Sequence, residues 1–263
     1  DGDGGGGGDD GDGAAPLGAA PAPQHWSQRA GAAAHLVLAA TEPPEATLLW
    51  DTRCATPAAT LRPDGGDRAR LRPGDAPVLG NAMAMRLWLP RGPGAGAPPL
   101  ALVGHENGEV LAWDLAMLRP RLWARTPPGV FSSPCTDLDV NRDGTVLFAG
   151  GVEAKARAFA LGEGDIRPRA DVALPVACAA AHEMDQKPGL GQVALRPDGR
   201  ILGTAGWDYR VRLFSAKAPF KPLAVLKYHD GAVNALAWSP DCTLLATGSK
   251  DTKVAVWRVF PPR

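Results

Sequence analysis

Three stretches of this 263-residue chain obey one internal ruler: a turn aspartate, an acid ten residues on, and an aromatic six residues after that. The ruler passes through Asp143, Glu153 and Phe159, then Asp198, Asp208 and Phe214, then Asp241, Asp251 and Trp257. The last two sets lie 43 residues apart; the first lies 55 before the second, the extra length falling in AHEMDQKPGLG. Self-similarity at such a period constrains a fold more tightly than composition does. Each repeat is one small unit that cannot bury its apolar face alone, so the units must stack.

Within the last unit, VNALAWSPDCTLLATGSKDTKVAVW reads as strand Val233–Trp238, a Ser-Pro-Asp turn, strand Leu244–Ser249, a turn at Asp251, and strand Val254–Trp257. The unit before it gives Val193–Arg196, a Pro-Asp-Gly turn, Ile201–Gly206, a turn at Asp208, and Val211–Phe214. Further upstream, LALVGHENGEVLAWDL keeps the second half of the pattern, with Asn107 six residues before Trp113. HLVLAATEPPEATLLWDTR ends in Trp50-Asp51 but has Pro44 at the polar position. Short alternating strands between Gly, Asp and Pro turns predict an all-β propeller portion over residues 31–263, with four clear blades and one degenerate blade. The first thirteen residues are only Asp and Gly, and Ala, Pro and Gly continue to about Pro23; with almost nothing apolar to bury, residues 1–30 are expected to be a disordered tail. The run Pro90–Pro99, PRGPGAGAPP, is expected to be a surface loop inside a blade.

Charge and motif content narrow the function classes. Lys plus Arg and Asp plus Glu both number 28, so no strong net field draws the chain to nucleic acid or an acidic membrane. Four widely spaced cysteines without a C-x-x-C pair argue against a zinc site or disulfide framework and fit a reducing compartment. No apolar run has the length of a membrane span, no basic-plus-apolar leader is present, and the sequence begins without Met, as a fragment would. A soluble intracellular chain is expected. Phosphate-loop, dinucleotide and H-E-x-x-H motifs are all absent, so the expectation is a non-enzyme with no cofactor, metal or small-molecule substrate. His105 in HENGE and His182 in AHEMD sit beside carboxylates and are read as surface hydrogen-bonding residues.

The repeat resembles the WD repeat, whose signature dipeptide ends the third strand of a blade. Trp50-Asp51 and Trp113-Asp114 occupy that place; Trp207-Asp208 falls instead in the turn between the second and third strands. The resemblance implies a buried hydrogen-bonded set in the last blade: His229, Thr247 (with Ser249 as an alternative), Asp251 and Trp257. Phe214, lacking an N–H, breaks that set one blade earlier. Although His, Asp and Ser/Thr are also the members of a hydrolase triad, no nucleophile elbow accompanies them, and the structural reading is preferred. A narrower resemblance rests on ATEPPEATLLWD, TDLDVNRDG, VALRPDGRILGTAGWDYRVRLF, PLAVLKYHDGAVNALAW and LLATGSKDTKVAVWRVFPPR. Over roughly residues 33–263 the chain is similar to the guanine nucleotide-binding protein beta-like protein 1 / ASTRA-associated protein 1 family. That resemblance implies a seven-bladed propeller, of which the first two or so blades are not in this sequence. It also implies a scaffold in nucleus and cytoplasm, linked to the co-chaperone assembly that matures phosphatidylinositol-3-kinase-related kinases and to chromatin regulation. Two alternatives are a G-protein beta-like signalling subunit and a cullin ligase substrate receptor, the latter cued by W-D-x-R at Trp50–Arg53.

The turn GWDYR is where a binding role is expected. Trp207, Tyr209 and Arg210 are residue types enriched at interface hot spots, and a turn tip cannot bury all three. The competing reading lays Trp207 over the neighbouring blade and Tyr209 on its own strand.

Overall fold

The computed structural model describes residues 36–41, 46–62, 79–90, 98–116, 120–127, 129–131, 133–153, 155–173 and 189–260. The Asp/Gly/Ala/Pro tail, the centre of the Pro90–Pro99 loop and the AHEMD stretch lie outside them. Every regular element among the described residues is a β-strand, and all pairings are antiparallel. Five up-and-down sheets follow one another. The first contains β1 (Leu36–Ala40), β2 (Thr47–Asp51) and β3 (Ala59–Leu61). The second contains β4 (Ala82–Trp88), β5 (Leu100–His105), β6 (Val110–Asp114) and β7 (Arg121–Arg125). The third is built of β8 (Cys135–Val140), β9 (Val146–Gly151), β10 (Lys155–Leu161) and β11 (Ile166–Ala173). The fourth holds β12 (Leu190–Leu195), β13 (Ile201–Gly206), β14 (Arg210–Ser215) and β15 (Pro222–Lys227). The fifth holds β16 (Val233–Trp238), β17 (Leu244–Ser249) and β18 (Val254–Arg258). Since Trp50-Asp51 ends β2, the first sheet's described strands correspond to the second to fourth strands elsewhere.

Period-2 alternation gives each sheet two apolar faces, and consecutive sheets bury them against each other. Four apolar clusters result, one at each junction. Leu49 and Leu61 meet Val103 and Trp113; Trp88 and Leu102 meet Leu138 and Phe159; Phe148 and Ala158 meet Leu202 and Phe214; Val211 and Leu213 meet Leu236 and Leu245. The ruler's aromatic thus packs back on the preceding blade each time. A ring there is what the spacing of six encodes.

The turns explain the ruler's acids. The turns after the first strands of the third, fourth and fifth blades each contain one left-handed residue: Gly144 (φ 70), Gly199 (φ 69) and Cys242 (φ 64). The turn before each third strand needs another: Gly108 (φ 86), but Tyr209 (φ 69) and Thr252 (φ 66) in the fourth and fifth blades. Asp241 stabilises its turn by accepting from the Thr243 amide and hydroxyl, at 3.2 and 2.7 Å.

Side chains of one inner strand also clasp the backbone of the next. Asp137 accepts from the Val193 amide at 3.0 Å and Asp139 from the Leu195 amide at 2.8 Å. Gln192 accepts from the Leu236 amide at 2.5 Å, and the Arg86 guanidinium donates to the Leu138 carbonyl at 3.3 Å. Burial lifts the Asp137 carboxyl to about 6 against the opposing Val193 and Leu138 amides and Arg86. Asp139 is raised for the same reason, with Arg86 working against the rise.

Candidate protein-interaction surface

The fifth blade brings the four expected polar residues together. His229 arrives on the connection from β15, Thr247 on β17, Asp251 in the β17–β18 turn and Trp257 on β18. His229 Nδ1 lies 3.0 Å from Asp251 Oδ2, and its Nε2 lies 2.8 Å from Thr247 Oγ1. The Trp257 indole N–H donates to the same hydroxyl at 3.1 Å. Thr247 is therefore the hydroxyl member, while Ser249 serves its turn, donating to the Gly231 carbonyl and accepting from the Asp251 amide. Burial by itself would raise Asp251. The Asp230 and Lys253 amides, with His229 and Ser249, outweigh it and hold the carboxyl well below the usual range. The hydrogen bonds satisfy the half-buried indole and the buried imidazole, which is a structural task.

Other blades fill the acid's place differently. Asp208 is gripped by Arg212, four residues on, through two bonds of 3.0 and 2.6 Å. Glu153 is held the same way by Arg157 at 2.8 Å, with the guanidinium over the Phe131 ring. Sequence reading missed these arginines, although VEAKAR and WDYRVR show an acid followed four residues later by Arg. Arg212 replaces the histidine as the acid's partner, so the broken set one blade earlier is exchanged for an ion pair. In the second blade the hydroxyl's position is Val103, and the buried Trp113 indole N–H has no partner. His105 corrects the surface reading given to it: it ends β5 buried, 3% exposed. Burial lowers its pKa, opposed by the Gly80 backbone and Glu109. His105 and Trp113 border a cavity of about 10 Å³ between the first two blades.

The GWDYR turn stands at the same end of the fourth blade, next to the β15–β16 connection and the β17–β18 turn. Trp207 is half-buried; its amide donates to the Gly189 carbonyl at 2.9 Å and its six-membered ring lies against Gly189. The indole therefore covers its own blade at Gly189, where glycine leaves room. Tyr209 and Arg210 are also half-buried, and Arg210 Nη1 reaches only the Tyr209 carbonyl, at 3.4 Å. Tyr228, on the neighbouring connection, is 52% exposed and stands edge-on to Trp257, ring centres 6.2 Å apart. In the first blade the Arg53 guanidinium folds back onto Asp51 through bonds of 2.7 and 2.5 Å.

A family profile described as "WD domain, G-beta repeat" matches residues 220–258, a stretch containing all four members of the polar set. Residues 220–258 thus form a WD repeat. The chain is similar to mouse guanine nucleotide-binding protein subunit beta-like protein 1, with 31% identity over 206 residues, 78% of this chain and 54% of the mouse protein. ASTRA-associated protein 1 of Schizosaccharomyces pombe is 43% identical over 72 residues, 27% of this chain and 19% of the yeast protein. Actin-interacting protein 1 of Drosophila melanogaster is 27% identical over 169 residues, 62% of this chain and 25% of the fly protein. The chain thus spans about half the length of its mouse relative.

Proposed function

We propose that this WD-repeat protein is a non-catalytic interaction scaffold of nucleus and cytoplasm. Its role in this reading is that of an adaptor for the ASTRA-type co-chaperone assembly that matures phosphatidylinositol-3-kinase-related kinases, with a link to chromatin regulation. Support comes from the 43% identity to ASTRA-associated protein 1 over 72 residues and from a fifth-blade polar set whose residues serve hydrogen bonding. The observation that carries the choice of surface is the strained Tyr209. A tyrosine in the left-handed region costs on the order of 1–2 kcal/mol, and glycine takes the equivalent position at Gly108. Trp207, Tyr209 and Arg210 form the partner-binding turn in this reading. The cullin alternative rests on Trp50–Arg53, where Arg53 is already engaged by Asp51.

Affinity purification of the tagged chain with mass spectrometry tests the assignment. Recovery of kinase co-chaperone subunits supports it. Enrichment of a cullin adaptor, or of G-protein alpha and gamma subunits, in their place would replace it with that reading.

A further inference from the structure

Among the described residues at the end of the fourth and fifth blades that carries the GWDYR turn, charge does not balance. The acids described there are occupied: Asp208 by Arg212, Asp230 by Lys253 at 2.8 Å, and Asp251 by His229 and backbone amides. Three cations have no acidic partner among the described residues: Arg210, Lys227 and Lys250. Two of them face each other, since Arg210 on β14 pairs in register with Lys227 on β15. Like charges directly opposite on neighbouring strands destabilise a sheet. The second blade shows how the same place is neutralised. There Glu109 stands where Arg210 does, two residues after the ruler's polar position, and pairs with Arg125 on the outer strand. The fourth blade doubles the positive charge where the second cancels it.

Beside this pair, Tyr228 is exposed yet held, its ring edge-on to His229 and Trp257 and 5.7 Å from Lys253 Nζ. An aromatic ring fixed beside unpaired cations is suited to a ligand that brings carboxylates and some apolar surface together. We propose that this end binds an acidic segment of a partner protein, with Arg210, Lys227 and Lys250 meeting its carboxylates and Tyr228 its apolar residues. The proposal rests on the GWDYR end being the interaction surface and adds the partner's chemistry. Nucleic acid fits less well, because the chain as a whole carries no net charge and the excess amounts to three cations.

The test uses the full chain and fluorescence anisotropy with three labelled probes: a short Glu/Asp-rich peptide containing leucines, the same peptide with half its acids changed to lysine, and a single-stranded DNA oligonucleotide. The acidic peptide is expected to bind most tightly, and to weaken as salt is added. Arg210→Glu should cut that affinity by about tenfold or more while leaving the melting midpoint equal or higher, because a carboxylate then faces Lys227. Arg142→Glu, exposed at the opposite end, should change nothing. Equal binding of the charge-balanced peptide, tighter binding of the oligonucleotide, or an Arg210→Glu variant of unchanged affinity would overturn the proposal. Capture of the cellular partner separates the two readings. If Tyr209→Gly loses capture and Arg210→Glu does not, the interaction end stands and the acidic partner falls. If neither loses it, both fall.

Discussion

The buried Trp113 and the half-buried Trp257, at matching positions, allow a comparison of what a single N–H contributes. Trp257 donates to Thr247, whereas Trp113, equally placed in the second blade, faces Val103 and has no acceptor. Replacing an indole by a phenyl ring removes the donor and some volume at both sites, but only at Trp257 does it also break a hydrogen bond, leaving Thr247 with His229 and the Ala255 carbonyl. Trp257→Phe is expected to cost on the order of 1 kcal/mol more than Trp113→Phe. Thermal or denaturant melts of the two variants check this. Equal losses would mean that volume, not the hydrogen bond, dominates. At this scale the sequence was readable where a residue's partner lies inside its own repeat, as with His229, Thr247, Asp251 and Trp257. Trp207 shows the opposite. Its ring lies against Gly189, a proximity that no local sequence pattern marks.

Among the elements, β13, β16 and β17 begin and end where alternation and turn residues predict: Ile201–Gly206, Val233–Trp238 and Leu244–Ser249. Strands β12 and β14 start earlier than expected because Leu190 and Arg210 pair before the apolar pattern begins. The clasps between inner strands were not legible, since Asp137 and Val193 are 56 residues apart and no local pattern marks the pair. They carry a pH signature. In the unfolded chain Asp137 titrates near the ordinary aspartate value of about 4, while burial lifts it to about 6 in the fold. The folded state therefore holds this proton more tightly. The destabilisation it causes is fully present above about pH 6 and disappears as pH falls towards 4. Asp137→Asn, which still offers an oxygen to the Val193 amide, should relieve on the order of 2 kcal/mol at pH 7.5 and little at pH 4.5. Melting curves of both proteins at the two pH values test the sign; parallel shifts would show that Asp137 is not the titrating group.

For the molecule as a whole, stacked blades leave two ends of unlike character. The turns after the first strands of the fourth and fifth blades are stabilised by their own aspartates, Asp198 and Asp241. The other end carries the left-handed Tyr209, the exposed Tyr228 and the unpaired cations. Tyr209→Gly separates fold from function there. Glycine accepts the turn's positive φ without strain, and Thr252→Gly, at the equivalent turn of the fifth blade, reports the backbone effect alone. The deciding measurement is the melting midpoint of Tyr209→Gly alongside its recovery of co-chaperone subunits. The account predicts a midpoint equal to or above that of the parent, as for Thr252→Gly, with recovery reduced about tenfold or more. Undiminished recovery at an equal or higher midpoint would contradict it.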